Sequence, residues 1–286
     1  MIGLILRTGR DIMTFDTELV GKIGSMALID KADHMIDYTR VARLSRELKP
    51  GYIWISSGAT EIGRLDFIAR NGYELSGADA KTDYASQGQT ILMQTYRQFV
   101  DARYSVRQVL VEHQHFNDKE KCEHLKSLLL RCKEQNAIPI VNYNDAVSNE
   151  ENRRMEIAAL AQKTRRVYEC VDNDETASRI ACLVHARYLL IFTSVNGIYA
   201  NPEDPSTLIP VITGKDAYEL IEHIDAKKEF CEGASRAGAN GAKAKLEYVK
   251  DAAAQGTTVY IANANYTIKD VLSGAAPSTK IGINLK

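Results

Sequence analysis

A chain of 286 residues, 45% hydrophobic and 26% charged, is long and apolar enough to bury a sizeable core as one large domain or two modest ones. Its formal net charge of −1 gives no reason to expect nucleic acid or an anionic membrane as partner, and no apolar run is long enough to span a bilayer. The five cysteines (Cys122, Cys132, Cys170, Cys182 and Cys231) are odd in number and scattered, which suits reduced cytoplasmic thiols and neither a disulfide frame nor a zinc site.

The opening "MIGLILRTGR" has a short apolar patch but no basic start, adequate apolar length or cleavage pattern, so it is not expected to act as a signal peptide. Beyond it, helical and strand-like stretches alternate, which predicts an α/β fold with a mainly parallel sheet. A helical stretch around 36–48 precedes "GYIWISSG" (51–58), a strand running into a glycine turn. "VRQVLVEHQ" (106–114) and "NAIPIVNYND" (136–145) are further strands, with a charged helix over 118–135 between them. His113 and His115 fall on one side of the first of these strands, with no Cys or third His nearby to complete a metal site. The polar, Arg-rich stretch 148–169 carries only a short apolar stripe (Ile157, Leu160, Ala161) and reads as a solvated surface helix.

"VDNDETAS" (171–178) begins the next helix. Asp172 is a favoured N-cap, Glu175 stands at capping-box spacing from it, and Ala177, Ile180, Ala181 and Val184 make one apolar face. Locally, Asn173 and Asp174 could serve the cap or meet a ligand. "ARYLLIFTSV" (186–195) is a fourth strand, "GTTVYIAN" (256–263) a fifth after a helix near 241–255, and "STKIGINL" (278–285) a last short one.

Four turns fall at the ends of these strands, where an open parallel sheet binds its ligands. "KIGS" (22–25) offers a close backbone approach and a lysine, or simply a surface lysine beside a turn. "SSGATEIG" (56–63) leads a strand into a helix, an arrangement that fits an anion and equally an ordinary loop. "NYNDAV" (142–147) places Asp145 where it could hold an ammonium group, though turn chemistry also explains Asn-Asp. "GASRAGANGAKAKL" (233–246) puts Lys243 and Lys245 into the first turn of a helix, against the helix dipole. A bound polyphosphate would account for them, yet the G-x-x-x-x-G-K-[ST] pattern of a P-loop is absent.

The order and contents of these turns resemble the amino-acid kinase superfamily, most closely its glutamate 5-kinase branch. The resemblance rests on "KIGSMAL", "SSGATEIGR", "YASQGQTILMQTY", "FNDKEKCEHLKSLLLRCKEQNAIPIVNYNDAV", "VDNDETASRIACLVHARYLLIFTSVNGIY" and "GANGAKAKL", in sequence from Lys22 to about residue 275. It implies a three-layer α/β/α sandwich: a single domain over 19–286 after an N-terminal extension over 1–18. Residues 19–185 would form the substrate half and 186–286 the nucleotide half, with 148–169 an insertion. It implies ATP-dependent phosphorylation of the side-chain carboxylate of glutamate, the first committed step towards proline, with Mg²⁺ bridging the phosphates and no metal ligand from the protein.

Carried over to this chain, Lys22 and Lys245 would neutralise the transferring phosphoryl group and Asp174 would hold them in place. Gly24 and Ser25 would donate backbone N–H groups to the phosphates. Ser57, Gly58, Asp145 and Asn173 would bind the amino acid, with Asp145 facing its ammonium. Thr193, Ser194, Gly238, Asn240, Gly241 and Lys243 would line the ATP pocket. The partners expected are the amino acid, ATP and further copies of the chain.

Several positions depart from the family pattern. Val171 stands where the family has glycine before D-N-D, Ser194 replaces an aspartate, and Tyr143 replaces an acidic residue. Ala239, Asn240, Ala242 and Ala244 replace Thr, Gly, Met and Thr in the last loop, and many members continue into a C-terminal RNA-binding-like domain. These departures leave room for another acceptor, such as carbamate, N-acetylglutamate or a nucleoside monophosphate, or for a non-catalytic binding paralogue.

Overall fold

Runs of β-branched, aromatic and leucine residues, broken by glycine and asparagine turns, become the strands of this chain. A computed structural model describes residues 4–8, 11–30, 32–77, 79–164, 166–201, 203–229 and 241–285. It begins with an antiparallel hairpin of β1 (Leu4–Thr8) and β2 (Asp11–Phe15), then β3 (Thr17–Ile23), α1 (Ser25–Leu28) and a small ribbon of β4 (Ile29–Asp30) and β5 (Met35–Ile36). Next come α2 (Tyr38–Ser45), β6 (Tyr52–Ser56), α3 (Ala59–Asn71), α4 (Ala80–Phe99), β7 (Ser105–Val111), α5 (Gln114–Asn117), α6 (Lys119–Arg131) and β8 (Ala137–Tyr143). The surface helix α7 (Glu150–Ala161) precedes α8 (Asn173–Leu183), β9 (Ala186–Thr193), β10 (Val211–Gly214) and α9 (Ala217–Glu229). The chain closes with α10 (Ala242–Ala254), β11 (Thr258–Asn263), α11 (Ile268–Ser273) and β12 (Ser278–Ile283).

Among the described residues the main sheet has eight strands in the order β10-β12-β11-β9-β3-β6-β8-β7, parallel except where β11 meets β12. Strand alternation sends Leu19, Trp54 and Phe192 to a core beneath α2 and α4, and Val20, Ile53, Ile55 and Ile191 to a second core beneath α6, α8 and α10. The result is the α/β/α sandwich expected from the sequence. Because β3 pairs with β6 on one side and β9 on the other, the turns after β3, β6, β8, β9 and β11 gather along one edge of the sheet.

Helices α3 and α4 pack backbone against backbone. A Cβ at Gly63 would lie 1.8 Å from the Tyr84 carbonyl oxygen, and one at Gly88 would lie 1.8 Å from that of Ala59. This contact fixes α4 against the start of α3, and hence against the turn after β6.

Two local expectations are corrected. β7 ends at Val111, so His113 and His115 are not on a strand: His113 precedes α5 and His115 lies within it. The Glu112 N–H donates to His115 Nδ1 at 3.0 Å and closes the chain into a helical turn. The sequence reading also passed over β1, β2, β10 and α9. The surface character of α7 is as expected, for none of its residues is buried. Cys122, Cys132, Cys170 and Cys182 are free thiols, and Cys231 lies outside the described residues.

Candidate active site

Val20 and Lys22 alternate onto the sheet face that α8 and α10 cover, which carries the Lys22 ammonium towards the start of α8. There Asp172 is the N-cap, its Oδ1 accepting from the Asp174 N–H at 2.8 Å. The capping box expected with Glu175 does not form. Cys170 adopts a left-handed turn (φ +51°), and its own N–H, at 2.8 Å, takes the Glu175 carboxylate instead. Burial pushes the Glu175 carboxyl above its usual range.

The cap fixes Asp174, which is 1% exposed, with Ala177, Ile180 and Ala181 buried behind it. Lys22 Nζ lies 2.6 Å from Asp174 Oδ1, and Lys245 Nζ lies 2.7 Å from Asp174 Oδ2. Burial alone would raise this carboxyl, but the Lys22 and Lys245 ammonium groups outweigh it and hold it below the ordinary carboxylate range. Two cations share one anion, so the triad carries a net positive charge at the sheet edge. Ammonium groups held this far from water gain from an anionic neighbour, so the arrangement suits a phosphate.

Beside the triad lies a polar network. Asn173 Nδ2 donates to Ser57 Oγ at 3.0 Å and to Asn142 Oδ1 at 3.1 Å, and Asn142 Nδ2 donates to Gln89 Oε1 at 2.9 Å. The Asn173 Oδ1 is buried and has no hydrogen-bond partner among the described residues. Gly58 caps α3 with φ +103°, a left-handed conformation that favours glycine. Asp145 stands three residues beyond Asn142, where Lys81 Nζ of α4 holds its Oδ1 at 3.0 Å. Ser57, Gly58, Asn173 and Asp145 therefore cluster around the turns after β6 and β8. Gln89, Asn142 and Lys81 were given no role from sequence, although the first two lie within the motifs quoted above.

On the other flank, Thr193 ends β9 and folds back on its own turn, its Oγ1 accepting from the Val195 N–H at 2.9 Å. Ser194 is exposed, and its carbonyl accepts from Asn263 Nδ2 at 3.2 Å. Gly241 is the N-cap of α10, whose first turn carries Lys243 at the surface and Lys245 towards Asp174. Gly238 and Asn240 lie outside the described residues. One expected donor is corrected. The Gly24 N–H is engaged by the Phe192 carbonyl at 3.2 Å, because the β3–β9 ladder continues one residue past the strand. A Cβ at Gly24 would stand at an ordinary contact distance, 3.5 Å, from Lys22 Nζ. Ser25 opens α1, whose Ala27 N–H donates to the N-cap carbonyl of Gly24 at 3.0 Å.

Residues 18–263 match the sequence model of the amino acid kinase family. The chain belongs to that family. Among amino acid kinase family relatives, glutamate 5-kinase of Geobacillus thermodenitrificans is 29% identical over 280 residues, 93% of this chain and 67% of its own length. Glutamate 5-kinase of Bacteroides thetaiotaomicron is 30% identical over 257 residues, 86% of this chain and 64% of its own length. The chain thus spans about two thirds of the curated relatives it matches. Carbamate kinase from Giardia lamblia bound to AMP-PNP superposes with a TM-score of 0.58 at 15% identity, covering 93% of this chain and 98% of that one. UMP kinase from Ureaplasma parvum gives 0.52 at 13% identity, with the same coverage. Likeness at these identities establishes the shared fold.

Proposed function

We propose that this chain transfers the γ-phosphoryl group of ATP to the side-chain carboxylate of glutamate, giving glutamyl 5-phosphate, the step that commits glutamate to proline. The observation that carries the reading is the buried triad, Asp174 between Lys22 and Lys245 at 2.6 and 2.7 Å. The family membership and the relatives named glutamate 5-kinase support it. The division of labour follows the two flanks of the triad. The turns after β6 and β8 take the amino acid, and the turns after β9 and before α10 take the nucleotide.

A carboxylate is already nucleophilic at neutral pH, so the site needs no general base. The acceptor oxygen attacks the γ-phosphorus, the bond to the β–γ bridging oxygen breaks, and ADP leaves with that electron pair. Lys22 and Lys245 counter the charge on the equatorial oxygens throughout, and Asp174 keeps both ammonium groups aimed while the phosphoryl group passes. Mg²⁺ bound to the phosphates of ATP would supply further charge neutralisation. Asn173 Oδ1 and the Asp145 carboxylate accept from the amino acid's ammonium, and Ser57 orients the Asn173 amide.

Incubation with ATP, Mg²⁺ and hydroxylamine tests the reading, because hydroxylamine converts an acyl phosphate to a stable hydroxamate. Hydroxamate is expected with glutamate. Its absence with glutamate, alongside product from carbamate, N-acetylglutamate or a nucleoside monophosphate, would overturn the substrate and keep the reaction class. Amino-acid binding without phosphoryl transfer to any acceptor would indicate a binding paralogue.

A further inference from the structure

One face of the α4 helix touches the end of β8 and the turn that follows it. Gln89 meets Asn142 at 2.9 Å, and Lys81, eight residues or about two turns earlier, meets Asp145 at 3.0 Å. The first contact is buried and joins the Ser57–Asn173 network. The second lies further out, with the Lys81 side chain 58% exposed and that of Asp145 20% exposed. Lys81 sits in the first turn of α4, where the helix dipole disfavours a cation. Helix stability therefore does not account for a lysine at this position, whereas the Asp145 carboxylate does.

We infer that Lys81 determines head-group specificity by binding the α-carboxylate of the amino acid whose ammonium binds Asp145. This inference rests on the reading of Asp145 as the ammonium site. An α-amino acid carries both charges on one carbon. Docked with its ammonium on Asp145, it brings its carboxylate within reach of an ammonium that itself lies 3.0 Å from Asp145 Oδ1. Being largely exposed on a flexible stem, Lys81 can shift from Asp145 to the incoming carboxylate without breaking a buried contact. In the empty site Lys81 neutralises Asp145, and in the filled site the four charges alternate in sign. An acid without an α-ammonium would have to compete with Asp145 for Lys81 and would leave the Asp145 carboxylate without a cation.

Calorimetric titration separates the Lys81 contact from catalysis. The ligands are L-glutamate and its α-amide, isoglutamine, which keeps the side-chain carboxylate and loses the α-carboxylate charge. Wild-type protein is expected to bind glutamate about tenfold or more tightly than isoglutamine, and Lys81→Met is expected to lose that preference by weakening glutamate alone. In turnover the same variant raises KM for glutamate and leaves kcat and the KM for ATP unchanged. The inference is overturned if Lys81→Met keeps the wild-type preference, if it binds both ligands more tightly, or if wild type binds neither. A preference for glutamate in wild type that Lys81→Met abolishes, with no hydroxamate formed from glutamate, would instead overturn the proposed reaction and leave the role of Lys81 standing.

Discussion

The proposed phosphoryl-transfer centre and the proposed acceptor side of the site are built differently. Lys22, Asp174 and Lys245 each sit on a regular element whose other residues belong to the core, Val20 on β3, Ala177 and Ile180 on α8, Leu246 and Val249 on α10. Their charges are paired at 2.6 and 2.7 Å and almost closed to solvent at Asp174. The acceptor side is made of turns. Asp145 is held by a mostly exposed lysine. The neighbouring α7 buries no residue and is tied down by polar contacts such as His113 Nε2 to Glu156 Oε2 at 3.0 Å and Arg153 Nη1 to Ser148 Oγ at 3.0 Å. Groups that must meet a transition state benefit from rigid placement, while a head-group reader must exchange one partner for another. On the proposed reading, the chemistry is set in the sheet and the choice of acceptor is left to its turns.

That contrast can be broken at its rigid end first. Lys22→Met and Lys245→Met are each expected to lower kcat by about a hundredfold or more, with a smaller effect on KM for the acceptor. Steady-state kinetics on both variants checks this, and a change confined to KM would place the lysines outside the transition state. Gly63→Ala should cost about 1–3 kcal/mol in denaturant unfolding, because its Cβ would drive α4 away from α3. If the acceptor turns depend on α4, KM for glutamate rises in that variant while kcat holds.

The acid side of the stability profile sharpens the comparison further. The folded-state pKa of Asp174 lies below its unfolded value of 3.8, so its contribution is complete well above pH 3.8 and is lost as pH falls through the folded value. The difference in Tm between wild type and Asp174→Asn should therefore be constant near neutrality and shrink below that pH. The smallest effect is expected from Glu156→Ala. It removes a pair whose carboxylate is 62% exposed, and should cost about 1 kcal/mol or less. Faster amide exchange confined to α7, with kcat unchanged, is the expected signature.

The strands and the turns that end them were legible because a buried strand needs a local run of apolar residues and its turn needs Gly, Asn or Asp. The same holds for the apolar face of α8, where Ala177, Ile180, Ala181 and Val184 are all fully buried. What escaped the sequence depends on partners far along the chain. Gln89 and Asn142 are separated by more than fifty residues, and nothing near either announces the other. Gly63 and Gly88 look like ordinary helix glycines until the two helices are brought together. The histidines at 113 and 115 were misread because "EHQHF" continues an apolar run, while Glu112 and His115 close a turn that strand periodicity does not register. The capping-box spacing at Asp172 was equally genuine, and Cys170 redirected Glu175 from outside that window.

The pairing of Asp174 with Lys22 and Lys245 is most directly tested by the hydroxamate rate of Asp174→Asn with saturating ATP and glutamate. A fall of about a hundredfold or more is expected, with circular dichroism and ATP binding close to wild type. A variant that keeps the full rate would mean that Asp174 merely follows the helix cap at Asp172 and takes no part in aligning the two lysines.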